Sequence, residues 1–116
     1  MDLNSIIDKV NGNVVSINKN ENRNFSFAFA SDLMSDVLTI PSGSDETILI
    51  TGLCTPQTIR TANVADIHSV IIARNKKATE EMIKLANEYN ICIIESPHSI
   101  FRCCIAVHEI GLKPLY

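Results

Sequence analysis

A chain of 116 residues with a formal net charge of −3, 46% hydrophobic and 20% charged, has the size of a single domain, 1–116, burying roughly 65% of the surface its unfolded chain exposes. That composition excludes a disordered or fibrous protein, and the acidic balance lacks the basic footprint that duplex nucleic acid requires. The first residues carry an acid at Asp2 and no long apolar stretch, so no secretory signal and no bilayer-spanning segment is expected, and the cytoplasm is the expected location.

Leu3, Ile6, Ile7 and Val10 fall at helical spacing, and Asn11-Gly12-Asn13 stops that helix. A short strand is expected over 14–17, pairing at a sheet edge in either direction, followed by a polar loop over 18–24. Apolar runs then cover 25–30, 48–50, 68–73 and 91–94, beginning about 20 residues apart, which is the length of a strand plus a crossover helix. The intervening helices are expected over 32–40, 56–64, 78–89 and 97–110. Ser31 and Asp32 are placed to cap the first of these, Thr55-Pro56 the second and Ser96-Pro97 the last. Asn90 suits a left-handed turn into the following strand, and Gly111 a helix C-terminus.

The runs over 69–73 and 91–94 are apolar without alternation, so they need cover on both faces. The expected fold is a three-layer α/β/α domain with a mainly parallel sheet. Phe25, Phe27 and Phe29 alternate with Ser26 and Ala28, which predicts one strand face with bulky side chains packed into the core and one with small side chains.

Four cysteines, Cys54, Cys92, Cys103 and Cys104, form no C-x-x-C pair. Adjacent Cys103 and Cys104 diverge by about 100° on a helix, so reduced, largely buried thiols are expected and no disulfide framework. Cys54 is the best-placed nucleophile, in a strand-to-helix loop, but no base stands near it in sequence. Cys104 and His108 are four apart on the last helix and could supply half a zinc site. Nothing in the spacing provides the other half, so Cys104 packed inward and His108 near the helix C-terminus is the expected arrangement.

In order and spacing, Ser31-Asp32-Leu33-Met34-Ser35-Asp36-Val37, then Ile48-Leu49-Ile50-Thr51-Gly52, Val70-Ile71-Ile72, Ala78-Thr79-Glu80 and Ile91-Cys92-Ile93-Ile94 resemble the DRTGG-domain family. The resemblance covers 1–112 and is greatest to the short stand-alone members often found near iron-only hydrogenase genes. It implies a fold similar to the N-terminal domains of the bacterial HPr serine kinase and of some Mur ligases. It also implies a regulatory or ligand-sensing module, often dimeric, with no established catalytic residues and no cofactor. The kinase active site of the larger proteins belongs to a different domain, and this chain lacks G-x-x-x-x-G-K-[ST]. It departs from the pattern at Leu53-Cys54-Thr55-Pro56, where the family has Asp-Arg, and at Ala73-Arg74-Asn75, where it has Thr-Gly-Gly, so a ligand tied to those residues does not carry over.

In a parallel sheet, Asp32, Thr51, Gly52, Thr55, Arg74, Lys76, Ser96 and His98 all fall just past the carboxyl ends of strands, where open α/β sheets bind ligands. Arg74, Lys76, His98 and the amides after Thr55 and Ser96 would complement a small anionic metabolite or nucleotide. The same positions are also where ordinary caps must stand. Two functions therefore follow: a non-catalytic, homodimeric ligand-sensing module, or an accessory redox or metal-binding protein linked to iron-only hydrogenase systems. A protein-docking adaptor is a third that these residues do not separate from the first.

Overall fold

The computed structural model describes residues 1–16, 23–41 and 46–116. Helix α1 (Leu3–Lys9) precedes strand β1 (Asn13–Ser16). Strand β2 (Phe27–Ala30), helix α2 (Met34–Val37), strand β3 (Thr47–Thr51), helix α3 (Pro56–Val64) and strand β4 (Ser69–Ile72) follow. Helix α4 (Glu80–Tyr89), strand β5 (Cys92–Glu95), helix α5 (Ile100–Glu109) and a two-residue strand β6 (Lys113–Pro114) complete the chain. The six strands lie in one sheet in the order β1-β5-β4-β3-β2-β6. β2, β3, β4, β5 and β6 run parallel, and β1 closes one edge antiparallel to β5. The three-layer α/β/α expectation is borne out. Among the described residues no helix is long and apolar enough to cross a membrane.

Every residue of β3, β4 and β5 is buried, and successive side chains feed two separate cores, as the period of two requires. Leu49, Val70, Ile72, Ile91 and Ile93 face α2, α3 and α4. Ile48, Ile50, Ile71, Cys92 and Ile94 face α1 and α5, with Ile6, Val10, Cys103, Ala106 and Val107. The three phenylalanines do not share a face. Phe25 precedes the strand and is buried in the α1/α5 core with Ala28, whereas Phe29 packs against the α2/α3/α4 core. The register breaks because Ser26 N and Phe27 N both donate to the Glu46 carbonyl, so alternation does not extend back to Phe25.

Helix α3 and the turn at Asn90 (φ 59°) lie where expected. Three other helices are shorter. α2 covers only Met34–Val37, because Thr39 N and Ile40 N bond to carbonyls three residues back and Pro41 disfavours helix at Ile40. α4 begins at Glu80, with Thr79 as its cap accepting from Met82 N at 3.2 Å. α5 begins at Ile100, so Ser96-Pro97 does not cap it. Ser99 does, accepting from Arg102 N at 3.1 Å. β1 pairs antiparallel, and Ile17 and most of the expected loop over 18–24 lie outside the described residues. Strand β6 has no counterpart in the sequence reading. Main-chain bonds from Lys113 N to Ser26 O and Leu115 N to Ala28 O hold it on the edge, a position where Pro114 forfeits nothing.

Gly12 joins α1 to β1 where a Cβ would stand 2.5 Å from Ile94 Cγ2 in the buried core. Gly12→Ala is expected to destabilise by about 1–3 kcal/mol in urea unfolding, the range for overpacking. Ser99→Ala is expected to cost about 1 kcal/mol through loss of the α5 cap.

Candidate functional site

The parallel ladder continues past the strands and ties the strand-to-helix loops into one row. Ser31 N donates to Ile50 O at 3.1 Å, Ala73 N to Thr51 O at 2.9 Å and Ser96 N to Ile72 O at 2.9 Å. β4 leads to α4 on one face of the sheet while its neighbour β5 leads to α5 on the other. Adjacent strands with opposite exits open a crevice at their carboxyl ends. The loops on its two sides are bonded together, Arg74 N to His98 O at 2.7 Å and Asn75 N to Ser96 O at 2.9 Å.

Gly52 is the centre of the group. Its N–H donates to Asp32 Oδ1 at 2.6 Å, Thr51 Oγ1 donates to the same oxygen at 3.1 Å, and Lys76 Nζ donates to the Gly52 carbonyl at 2.5 Å. A Cβ on Gly52 would lie 3.0 Å from Arg74 Cδ, 3.3 Å from Ile100 Cδ1 and 3.4 Å from Asp32 Oδ1, so the close approach of these groups needs glycine. Five of the eight expected residues, Asp32, Thr51, Gly52, Arg74 and Lys76, thus meet at one point.

Asp32 does not cap α2. Leu33 holds the cap position without a side-chain bond, Ser31 Oγ accepts from Leu33 N at 3.1 Å, and the Asp32 carboxylate reaches across to the next loop. The remaining three residues stand apart. Thr55 is at the α3 cap position, its Oγ1 buried without a partner. Ser96 is buried and turned inward, donating to Val10 O at 2.6 Å and accepting from His98 N at 3.2 Å. The His98 carbonyl accepts from Arg74 N, and His98 lines a separate cavity with Lys9, Arg102 and Glu109. Of the amides expected to be free after Thr55 and Ser96, His98 N is satisfied internally by Ser96 Oγ, and the Gly52 amide is likewise taken by Asp32.

Glu95 escaped the sequence reading. Its buried carboxylate accepts from Ala78 N at 2.7 Å and from Asn13 Nδ2 at 3.4 Å and lies 3.8 Å from Lys77 Nζ, fixing the loop that carries Arg74 and Lys76. An acid closing the otherwise apolar run Ile91-Cys92-Ile93-Ile94 was the available signal.

Arg74 and Asn75 are consecutive residues with positive φ, 67° and 59°, a conformation that costs a non-glycine residue about 1–2 kcal/mol. The Arg74 side chain is exposed and forms no ion pair among the described residues. A strained backbone thus presents a free guanidinium beside a carboxylate and an ammonium.

All four cysteines are thiols, Cys92 and Cys103 buried, Cys54 and Cys104 half-buried. Burial pushes the Cys54 thiol up, outweighing the nearby Lys76 that would lower it, and Cys54 Sγ donates to Lys77 O at 3.2 Å. Burial likewise raises Cys103 and Cys104. These are inert environments and the opposite of an activated nucleophile. His108 Nδ1 lies 3.4 Å from Leu112 O at the end of α5, and Cys104 packs on the α1/α5 core, as expected. Among the described residues no three metal-ligating side chains cluster.

Arg74→Gly is expected to be more stable than Arg74→Ala by about 1 kcal/mol in urea unfolding, because glycine adopts positive φ without the Cβ penalty. Equal stabilities would remove the strain assigned to that turn. Because a raised pKa leaves less thiolate at a given pH, iodoacetamide at pH 7.5 is expected to alkylate Cys54 more slowly than free cysteine, the rate climbing only above the ordinary thiol range.

No family model matches the chain, and no curated protein matches it. Among solved structures, the crystal structure of the CBS and DRTGG domains of the regulatory region of Clostridium perfringens pyrophosphatase, complexed with its activator diadenosine tetraphosphate, superposes with a TM-score of 0.78 and 19% sequence identity. The match covers 91% of this chain, which spans 45% of that one. The chain therefore has a DRTGG-like α/β fold, as its resemblance to that family implied.

Proposed function

We propose that this chain is a non-catalytic regulatory module that binds a nucleotide at the carboxyl edge of its sheet, around Gly52. The observation that carries this reading is the gathering of charged side chains around Gly52. Arg74, exposed and without an ion pair, stands beside the Asp32 carboxylate, with Lys76 bonded to the same glycine. A guanidinium takes phosphate oxygens in bidentate fashion. A carboxylate repels a bare phosphate but accepts from hydroxyl groups, as acids beside dinucleotide sites do with ribose. A ligand with both phosphate and sugar hydroxyls meets both requirements, and a bare oxyanion meets only one. The fold supports the reading by its similarity to a regulatory region solved with a nucleotide activator.

The raised thiols of Cys54, Cys103 and Cys104 weigh against the redox reading and against a cysteine enzyme. A homodimer, a cytoplasmic location and a connection with iron-only hydrogenase systems belong to this proposal through the family resemblance. The dimer has a physical motive in Phe101, 75% exposed on α5.

Thermal-shift titration with ATP, ADP and diadenosine tetraphosphate is expected to raise Tm saturably for the wild type, and Arg74→Ala to lose about tenfold or more in affinity. Absence of any nucleotide shift, or equal shifts in Arg74→Ala, would overturn the site. Light scattering of the purified chain reads the oligomeric state, a dimer being expected.

A further inference from the structure

His98, which the strand-end group leaves out, lines a cavity of about 260 Å³ on the outer flank of α1 and α5, together with Lys9, Arg102, Ile105, Ala106 and Glu109. Its charge is unlike that of the chain as a whole. Three of the six lining residues are basic types, whereas the protein carries a net −3. The single carboxylate is already engaged, since Glu109 Oε2 lies 3.2 Å from Lys9 Nζ. Arg102 is exposed and has no ion pair among the described residues. His98 Nδ1 is buried and has no hydrogen-bond partner among the described residues. Ile105 and Ala106 supply an apolar wall.

We infer that this cavity is a second ligand site, separate from the strand-end group, and that it takes a phosphate dianion, free or as the monoester of a small metabolite. Arg102 offers a planar fork of donors to two phosphate oxygens. His98 supplies the third basic side-chain type of the lining. Lys9 adds positive charge and, through its 3.2 Å ion pair, offsets the carboxylate of Glu109 in the same lining. The cavity runs along the flank of α5 from His98 past Arg102 to Glu109. It is small for a whole nucleotide, since ligand pockets run from about 300 to 1,000 Å³, and it suits a phosphate with a short carbon arm against Ile105. The two sites touch through the backbone, where Arg74 N donates to His98 O at 2.7 Å, so the loop bearing His98 also holds the turn bearing Arg74.

Nuclear magnetic resonance of the full chain tests the inference through the ring protons of His98, identified by their disappearance in His98→Gln. Inorganic phosphate and propyl phosphate are titrated at pH 7 against sodium chloride of equal ionic strength. The expected result is a saturable shift of the His98 signal with at least one of the two phosphates and none with chloride, His68 and His108 staying put. Arg102→Gln, an exposed substitution whose amide spectrum checks that the fold is kept, is expected to weaken binding about 10- to 100-fold, the loss of a charge-assisted pair of hydrogen bonds. Arg74→Ala is expected to leave it unchanged. Neither phosphate shifting His98 beyond chloride, an unaltered affinity in Arg102→Gln, or a loss in Arg74→Ala that Arg102→Gln does not share would each overturn this site, and none of them bears on nucleotide binding at Gly52.

Discussion

Complete burial of β3, β4 and β5 on both faces is the constraint on which the rest of the molecule depends. Strands whose side chains are all buried and mostly apolar must be covered above and below, so the chain needs two helical layers. It builds one from the consecutive crossovers α2, α3 and α4 and the other from the two ends, α1 and α5. A full side chain such as Ile71 or Ile93 stabilises by about 1.5–3 kcal/mol when removed from water. That makes the central strands the most costly part of the structure to disturb. The parallel direction, which follows from helical crossovers, then delivers every strand-to-helix loop to one edge.

Because the layers are divided between crossovers and ends, β5 exits to the opposite face from β4 and a crevice opens between two loops. Hydrogen bonds across it leave little slack: Arg74 N and Asn75 N are both spent on carbonyls of the Ser96 and His98 segment, and Glu95 anchors the same loop from below through Ala78 N. The left-handed pair at Arg74 and Asn75 persists because these surroundings over-determine it. The result is a side chain held outward on a rigid support, the arrangement a recognition site needs so that binding does not have to order it first.

Much of this was legible in the chain. Runs of apolar residues about 20 apart gave the parallel layers, Thr55-Pro56 placed α3, and Asn90 marked its turn. Asp32, Thr51, Gly52, Arg74 and Lys76 could be assigned to one edge by topology alone. Ser96 and His98 could not be assigned correctly, because Ser96-Pro97-His98-Ser99 contains two serines able to cap a helix. Only the packing of Val10 beside Ser96 turned that hydroxyl inward and passed the cap to Ser99. Phe25 likewise resembled the start of an alternating strand until the shared acceptor at Glu46 broke the register.

The sequence by itself determined what is local or periodic: the elements, the need for two covering layers, the reduced thiols and the edge on which polar loop residues gather. Tertiary structure decided what depends on partners distant in the chain. It sent the Asp32 carboxylate to Gly52 instead of its own helix, tied the buried Glu95 to Ala78, and placed His98 at a separate cavity with Lys9 and Arg102. Side-chain direction at a strand end is set by which neighbour offers an unmet hydrogen bond, and that neighbour is 17 to 20 residues away in the first two cases, beyond the reach of helical or strand periodicity.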